Sequence, residues 1–444
     1  MSAKLSRLGV ASLTVIAAAA CSFEVTNPGP TDDSFLDKPE AHQAMANGSA
    51  VRLFDALNEV AYTTSAVTRE LFPAGSTSNF GISNRQQVGY LAYDDEHIDP
   101  AWVSAHRSRF VGESGYARFE KVLAEDAAAK AKYPNGVSGY KPAVEAALYA
   151  AYANRLLGEN WCEVAFDGGA IEPRVNALKR AETWFTKAID AAGSTASLAT
   201  QKTAAYAGRA AVRVQLGDWT GALADAALVP TTFTYYARYE EAQENQYNRV
   251  YFAGANGPYR AVTAWNTVYQ QYYADTKDPR VSWSYDGKSL GDAAVIMVGN
   301  IRVPFYRQEK FTARGSDILL SSGREMRLIE AEKMLKDGSI AGALAIMNTR
   351  RAALSPAPPA LAATDITQAW TLLKRERGIE LWLEGRRLGD LYRWKATNAP
   401  GALHEMEQPG GAKSYLAADQ SLCYPISKSE REANKNISDS PAGG

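Results

Sequence analysis

The sequence predicts an all-α, mostly helical fold in which paired helices form a scaffold and long irregular segments lie beside it. Three observations predict it. Apolar residues recur at helical spacing along several long stretches. Glycine follows those stretches where a left-handed cap would end a helix. Tracts rich in Pro, Gly and Asn separate them, and one of these tracts is unusually aromatic.

Residues 1 to 21, MSAKLSRLGVASLTVIAAAAC, carry Lys4 and Arg7, then an uncharged apolar run from Leu8 to Ala20, then a cysteine preceded by small residues. About 13 apolar residues are too few for a bilayer core that needs about 20, so the run reads as a secretory signal. The junction resembles a bacterial lipoprotein signal, which implies that Cys21 is lipidated and becomes the mature N-terminus. The alternative is ordinary cleavage that leaves a free or later-paired cysteine. Residues 22–40 then read as a polar, Pro-rich tether, and residues 41–444 as a single domain. No later stretch is apolar and uncharged for long enough to span a bilayer, so the expected membrane attachment is by lipid alone. At 46% hydrophobic residues the chain can bury a large core, and a formal charge of −1 gives no bulk basic character for nucleic acid.

Helices follow in order. Lys141 to Gly158 and Asn176 to Gly193 each place Ala, Leu, Tyr or Trp at helical spacing and end on glycine. Gln201 to Val229 reads as helix, turn at Leu216 to Trp219, and helix again. Gly323 to Leu354 repeats that arrangement around Lys336 to Ser339. Gly217, Asp218, Ala222 and Leu223 in one hairpin correspond to Asp337, Gly338, Ala343 and Leu344 in the other. These hairpins, about 141–229 and 323–354, resemble tetratricopeptide units, whose small residues let paired helices approach closely. The two turns are about 120 residues apart, which excludes a continuous array.

Two irregular segments are long for a compact domain, and long ordered loops are disproportionately functional. One runs from Leu71 to Ala101. The other, about 231–321, gathers Tyr235 to Tyr306 with Trp265, Trp283, Phe252 and Phe305 among Asn, Gln, Gly and Pro. A Pro-rich linker, Ser355 to Asp365, precedes the final helices. Cys162 and Cys423 remain once Cys21 is set aside. In an exported protein they form a disulfide stapling the C-terminal tail to the first helical region, or else stay as two buried thiols.

The segment RERGIELWLEGRRLGDLYRW, Arg375 to Trp394, closely resembles the C-terminal signature of the SusD/RagB family of outer-membrane nutrient-binding lipoproteins. The matching residues are Arg375, Glu376, Arg377, Ile379, Glu380, Leu381, Glu384, Gly385, Arg387, Asp390, Leu391, Arg393 and Trp394. A second block, YPISKSEREANKNI, resembles the family's closing motif through Pro425, Ile426, Ser429, Glu430, Asn434 and Asn436, with Ser427 and Lys435 where the family tends to have proline. The resemblance implies helical hairpins as scaffold, irregular loops as the binding face and no enzymatic activity. It also implies a partner, a SusC-like TonB-dependent outer-membrane transporter into which a glycan, or in some members a peptide, is delivered. The chain would then sit on the outer membrane by its lipid anchor, facing the cell exterior.

The residues agree with a structural role for the signature. Glu380 and Glu384 lie one helical turn apart, as do Ile379 and Leu383, so charges and apolar groups occupy distinct faces. Arg375, Glu376, Arg377, Glu380, Glu384, Arg387, Asp390 and Arg393 therefore read as a network that holds the last helices in register. Gly385 allows a bend into a second short helix.

The sequence contains no GxSxG, P-loop, HExxH or GxGxxG. His97 beside Asp94, Asp95, Glu96 and Asp99 has the donors for a hard cation but fits no calcium loop, and a solvated acidic turn is the simpler reading. No cofactor or metal is expected. Glycoside hydrolysis needs only two carboxylates at a set separation, so an all-α surface hydrolase stays as an alternative, as does a tetratricopeptide-type interaction scaffold. Sugar binding needs ring faces with amides and guanidinium groups nearby. The candidates for it are Asn79, Phe80, Asn84, Arg85 and Trp102 in the first irregular segment, and Trp265, Trp283, Tyr285 and Tyr306 in the second.

Overall fold

The computed structural model describes residues 32–75, 81–95, 97–254 and 259–437. Its helices are α1 (Pro39–Val67), α2 (Asn84–Gln87), α3 (Ile98–Glu125), α4 (Ala127–Lys132), α5 (Lys141–Asn160), α6 (Arg174–Ala192), α7 (Ala199–Leu216) and α8 (Trp219–Ala226). They continue with α9 (Arg249–Gly254), α10 (Val268–Thr276), α11 (Gly323–Lys336), α12 (Ile340–Ala352), α13 (Ile366–Glu380), α14 (Arg387–Ala396) and α15 (Lys428–Ala433). The all-α class read from the sequence is the one observed. Among the described residues no helix is long and apolar enough to cross a membrane.

The long helices pack in succession: α1 on α3, α3 on α5, α5 on α6, α6 on α7, α7 on α8. Small residues make those crossings possible. Gly208 of α7 lies where a β-carbon would stand 2.2 Å from the Phe185 ring of α6, and at Gly158 of α5 one would stand 2.6 Å from Leu178. Gly112 of α3 meets the Ala146 carbonyl of α5 in the same way, at 2.7 Å. Each turn is capped as its chemistry dictates. Gly217 takes φ +82° to end α7, and the Asp218 side chain accepts from the Gly221 N–H to start α8. Gly338, at φ +81°, turns α11 into α12, and Asp365 caps α13.

Short antiparallel strand pairs fasten the irregular parts. They are β1 (Phe72–Pro73) with β5 (Val262–Thr263), β2 (Glu163–Ala165) with β3 (Ile171–Pro173), β4 (Thr234–Ala237) with β8 (Ile318–Ser322), and β6 (Trp283–Ser284) with β7 (Arg307–Gln308). The main core runs through α1, α3, α5, α6 and α7 and takes in Trp382, Leu383 and Tyr424 from the C-terminal part. A second core holds α11, α12, α13 and α14 together around Trp370 and Trp394. Cys162 and Cys423 are joined by a disulfide. Beside it the Cys162 N–H donates to the Tyr424 carbonyl at 2.9 Å, and the Trp161 and Tyr424 rings stack with centroids 5.0 Å apart.

Candidate ligand-binding site

The β6–β7 hairpin is the most concentrated aromatic feature among the candidates. Its register pairs Trp283 with Gln308 and Ser284 with Arg307. Side chains alternate faces along a strand, so Trp283, Tyr285 and Tyr306 come to one face while Ser284 and Arg307 point to the other. Tyr285 stacks on Tyr306 with centroids 4.4 Å apart and planes 14° from parallel. Trp283 meets Tyr306 edge-on at 4.6 Å, and Tyr273 of α10 meets Trp283 at 5.5 Å. The indole N–H of Trp283 donates to the Gln270 carbonyl at 3.0 Å, which fixes the ring against α10. All four rings are half-buried. The hydroxyls of Tyr273, Tyr285 and Tyr306 take no hydrogen-bond partner among the described residues, so donors and acceptors stand free beside the ring faces.

The turn after β6 is built by Asp286, whose carboxylate accepts from the Lys288 and Ser289 N–H groups at 3.0 and 2.7 Å. Those backbone donors, with the Ser289 hydroxyl, lower its pKa to about 2. The turn that follows β6 is therefore held by a carboxylate that stays charged.

The other candidates are placed differently. Trp102 is a correction: it is 1% exposed, on the inner face of α3, where it packs on Trp161 and His106. No ligand can reach it. Trp265 is half-buried and sets its edge on Phe72 at 5.2 Å, on a small core of Ala74, Val295 and Val303. Asn84 is exposed at the start of α2, and the exposed Arg85 is held by Asp94 at 2.9 Å and Asp95 at 3.0 Å. Asn79 and Phe80 lie outside the described residues, as do Cys21 and Glu96. Of the acidic turn, Asp95 accepts from Arg85 and from the Ala92 N–H. No group of His, Cys, Asp and Glu able to hold a metal occurs among the described residues.

The signature segment is a set of buried ion pairs. Arg377 makes two parallel bonds to Asp390, both 2.9 Å, and Arg387 reaches Glu407 at 2.7 and 3.1 Å. Arg393 forks onto Glu332 at 2.6 and 2.9 Å. Glu376 takes Arg280 and Arg351, Glu380 takes Arg280 and Arg350, and Glu384 takes Lys310. Burial works to raise the Glu380 pKa, but Arg280 and Arg350 outweigh it and hold the carboxyl below its ordinary value. At Glu384 burial wins over Lys310 and pushes the carboxyl up to about 7. Arg375 differs from the rest: it joins no ion pair among the described residues and lays its guanidinium over the Tyr272 ring at 5.8 Å.

Between α13 and α14 the chain bends at Leu383, φ +62°, and Gly385, φ +67°. A branched residue resists the left-handed region, and the Leu383 N–H is held there by donating to Glu70 Oε1 at 2.8 Å. Most network partners lie far off in sequence, and spacing alone could not show them. Tyr273 was also missed: next to the buried Tyr272, it is the neighbour that α10 turns outward.

Residues 328–442 match the model of the SusD family. Among solved structures the chain is similar to a SusD superfamily protein from Bacteroides vulgatus, 13% identical with a TM-score of 0.60, covering 90% of this chain and 98% of that one. It is similar to a SusD-like carbohydrate binding protein from the same organism, 14% identical, TM-score 0.59, covering 90% and 97%. A SusD/RagB family protein from Bacteroides thetaiotaomicron is 10% identical with a TM-score of 0.62, covering 88% and 95%. No curated protein matches the chain. At such identities the likeness speaks for the fold alone, and the match to the SusD family model lies in the C-terminal part that carries the signature.

Proposed function

We propose that this chain binds an oligomeric nutrient, a glycan, at the aromatic face of the β6–β7 hairpin and delivers it to a SusC-like TonB-dependent outer-membrane transporter, without cleaving it. The match to the SusD family model supports a nutrient-binding role, and one similar structure is a SusD-like carbohydrate binding protein. The observation that carries the reading is the Tyr285–Tyr306 stack with Trp283 beside it and free phenol hydroxyls at its edge. Pyranose rings present apolar C–H faces to such rings, while their hydroxyls need the polar groups at the rim. The signature's carboxylates are tied up by arginine and lysine, which supports a scaffold role over acid–base chemistry. In the same reading Cys21 carries lipid and holds the protein at the outer membrane, facing outward.

The test is retention of a polysaccharide panel by the chain beginning after Cys21, with released sugars measured in parallel. Retention without release is expected, and Tyr285→Ala and Trp283→Ala should each weaken it about tenfold, roughly 1.4 kcal/mol, with the thermal midpoint checked for each. Shortened glycan would establish a hydrolase instead. Unchanged retention in both variants would move the site away from this hairpin.

A further inference from the structure

The second helical hairpin holds a cavity of about 460 Å³ whose walls come from Leu328 of α11 and from Ile346, Met347 and Ala353 at α12, with Glu376 and Glu380 of α13 at its floor. Arg324, Arg327 and Arg350 stand around it, and Thr231 and Thr232 lie at its exposed mouth. None of the aromatic-face residues line it.

Its charges do not balance. Taken with their ion-pair partners, Arg280, Arg324, Arg327, Arg350 and Arg351 face Asp278, Glu330, Glu376 and Glu380. Glu380 is already paired: Arg280 Nη1 reaches it at 2.7 Å and Arg350 Nε at 3.0 and 3.2 Å. Arg324 Nη1 is left 3.6 Å away, beyond hydrogen-bond reach, with its side chain 44% exposed. The terminal nitrogens of Arg350 and all of the Arg324 guanidinium have no hydrogen-bond acceptor among the described residues. Elsewhere in the signature, arginines such as Arg377, Arg387 and Arg393 have their carboxylate within bonding distance. Here one cation is in excess, and it faces an apolar wall.

An anion completes that arrangement, and the wall requires that the anion carry hydrocarbon. The Thr231 and Thr232 hydroxyls, which bond nothing among the described residues, offer partners for amide groups beside it. The volume of about 460 Å³ accommodates one side chain with its neighbouring amide. We propose that this cavity binds the free C-terminal residue of a peptide, an apolar side chain against Ile346 and Met347 and the carboxylate between Arg324 and Arg350.

Calorimetric titration of the chain beginning after Cys21 with N-acetyl-L-phenylalanine, N-acetyl-L-phenylalaninamide, octanoate and acetate tests this. The free acid should bind at least tenfold more tightly than its amide, with octanoate and acetate weaker than the acid. Arg324→Gln should weaken the acid about tenfold without moving the thermal midpoint, since Arg324 makes no hydrogen bond to lose. Ala353→Trp, at the exposed end of α12, should block the acid while leaving polysaccharide retention as it was. Equal affinity for acid and amide, no binding of the acid, or an Arg324→Gln variant that binds it normally would overturn the proposal. Octanoate binding more tightly than the acid would also overturn it and assign the cavity to lipid.

Discussion

Glu70 is fully enclosed at the end of α1, accepting from the Leu383 N–H at 2.8 Å and from the Thr68 hydroxyl at 3.2 Å. Burial pushes its carboxyl up from 4.5 to about 7, against those donors and against Arg387 and Lys310. A folded-state pKa above the unfolded one means that the fold prefers the protonated form. That contribution is complete below pH 4.5 and is lost as pH rises through about 7. Glu70→Gln keeps an acceptor for the Leu383 N–H, turns its amide NH2 as donor toward the Thr68 hydroxyl, and cannot ionise. Its stability advantage over the parent should therefore grow by about 1–3 kcal/mol between pH 5 and pH 8, read from urea unfolding at each pH. A constant difference across that range would show that Glu70 is charged throughout. Nothing near Glu70 in sequence signals this state, because Leu383 and Arg387 come from the other end of the chain. The signature's acids and arginines were legible as a network for the opposite reason: they crowd one short segment. Their partners Arg280, Lys310, Glu332 and Glu407 were not, since spacing reveals neighbours on a helix and nothing across the fold.

Helices were the legible elements, because periodicity and caps are local. The turn at Gly217 and Asp218 is legible in the sequence, and its φ of +82° is what the glycine provides. Trp102 shows where that reading fails. The Pro-flanked tract before it suggested a loop, yet α3 begins at Ile98, and Ile98, Ala101, Trp102 and Ala105 form its buried face. Two-residue strands such as β6 and β7 carry too little alternation to detect, so the aromatics were legible as a set but their shared face was not. Helix crossing is the element property most open to test. Gly208→Ala would place a β-carbon 2.2 Å from the Phe185 ring, and the overpacking should cost about 1–3 kcal/mol, seen as a lower unfolding midpoint. A neutral result would mean that α6 and α7 can slide apart freely.

Across the whole molecule, α1 and the segment from Trp382 to Ile437 share one core. The Cys162–Cys423 disulfide spans 261 residues of sequence, and the Trp161–Tyr424 stack and backbone bonds lie beside it. Replacing both cysteines by serine should lower stability by about 2–5 kcal/mol, measured by chemical unfolding against the oxidised protein. An unchanged midpoint would assign the closure to the neighbouring packing alone. Sequence could offer this pairing only as one of two readings, because compartment and parity say nothing of distance. Arg69 makes the same long connection: fully buried, it donates to the Ser414 carbonyl at 2.6 Å and to the Gln87 carbonyl at 2.7 Å. The indole N–H of Trp382 reaches the Glu70 carbonyl at 2.9 Å. A ribosome makes α1 about 340 residues before Ser414, so over that stretch of synthesis the guanidinium of Arg69 lacks this acceptor. Closure of this part of the core therefore waits on the C-terminal segment: α1 cannot complete the packing around Arg69 until Ser414 has been made.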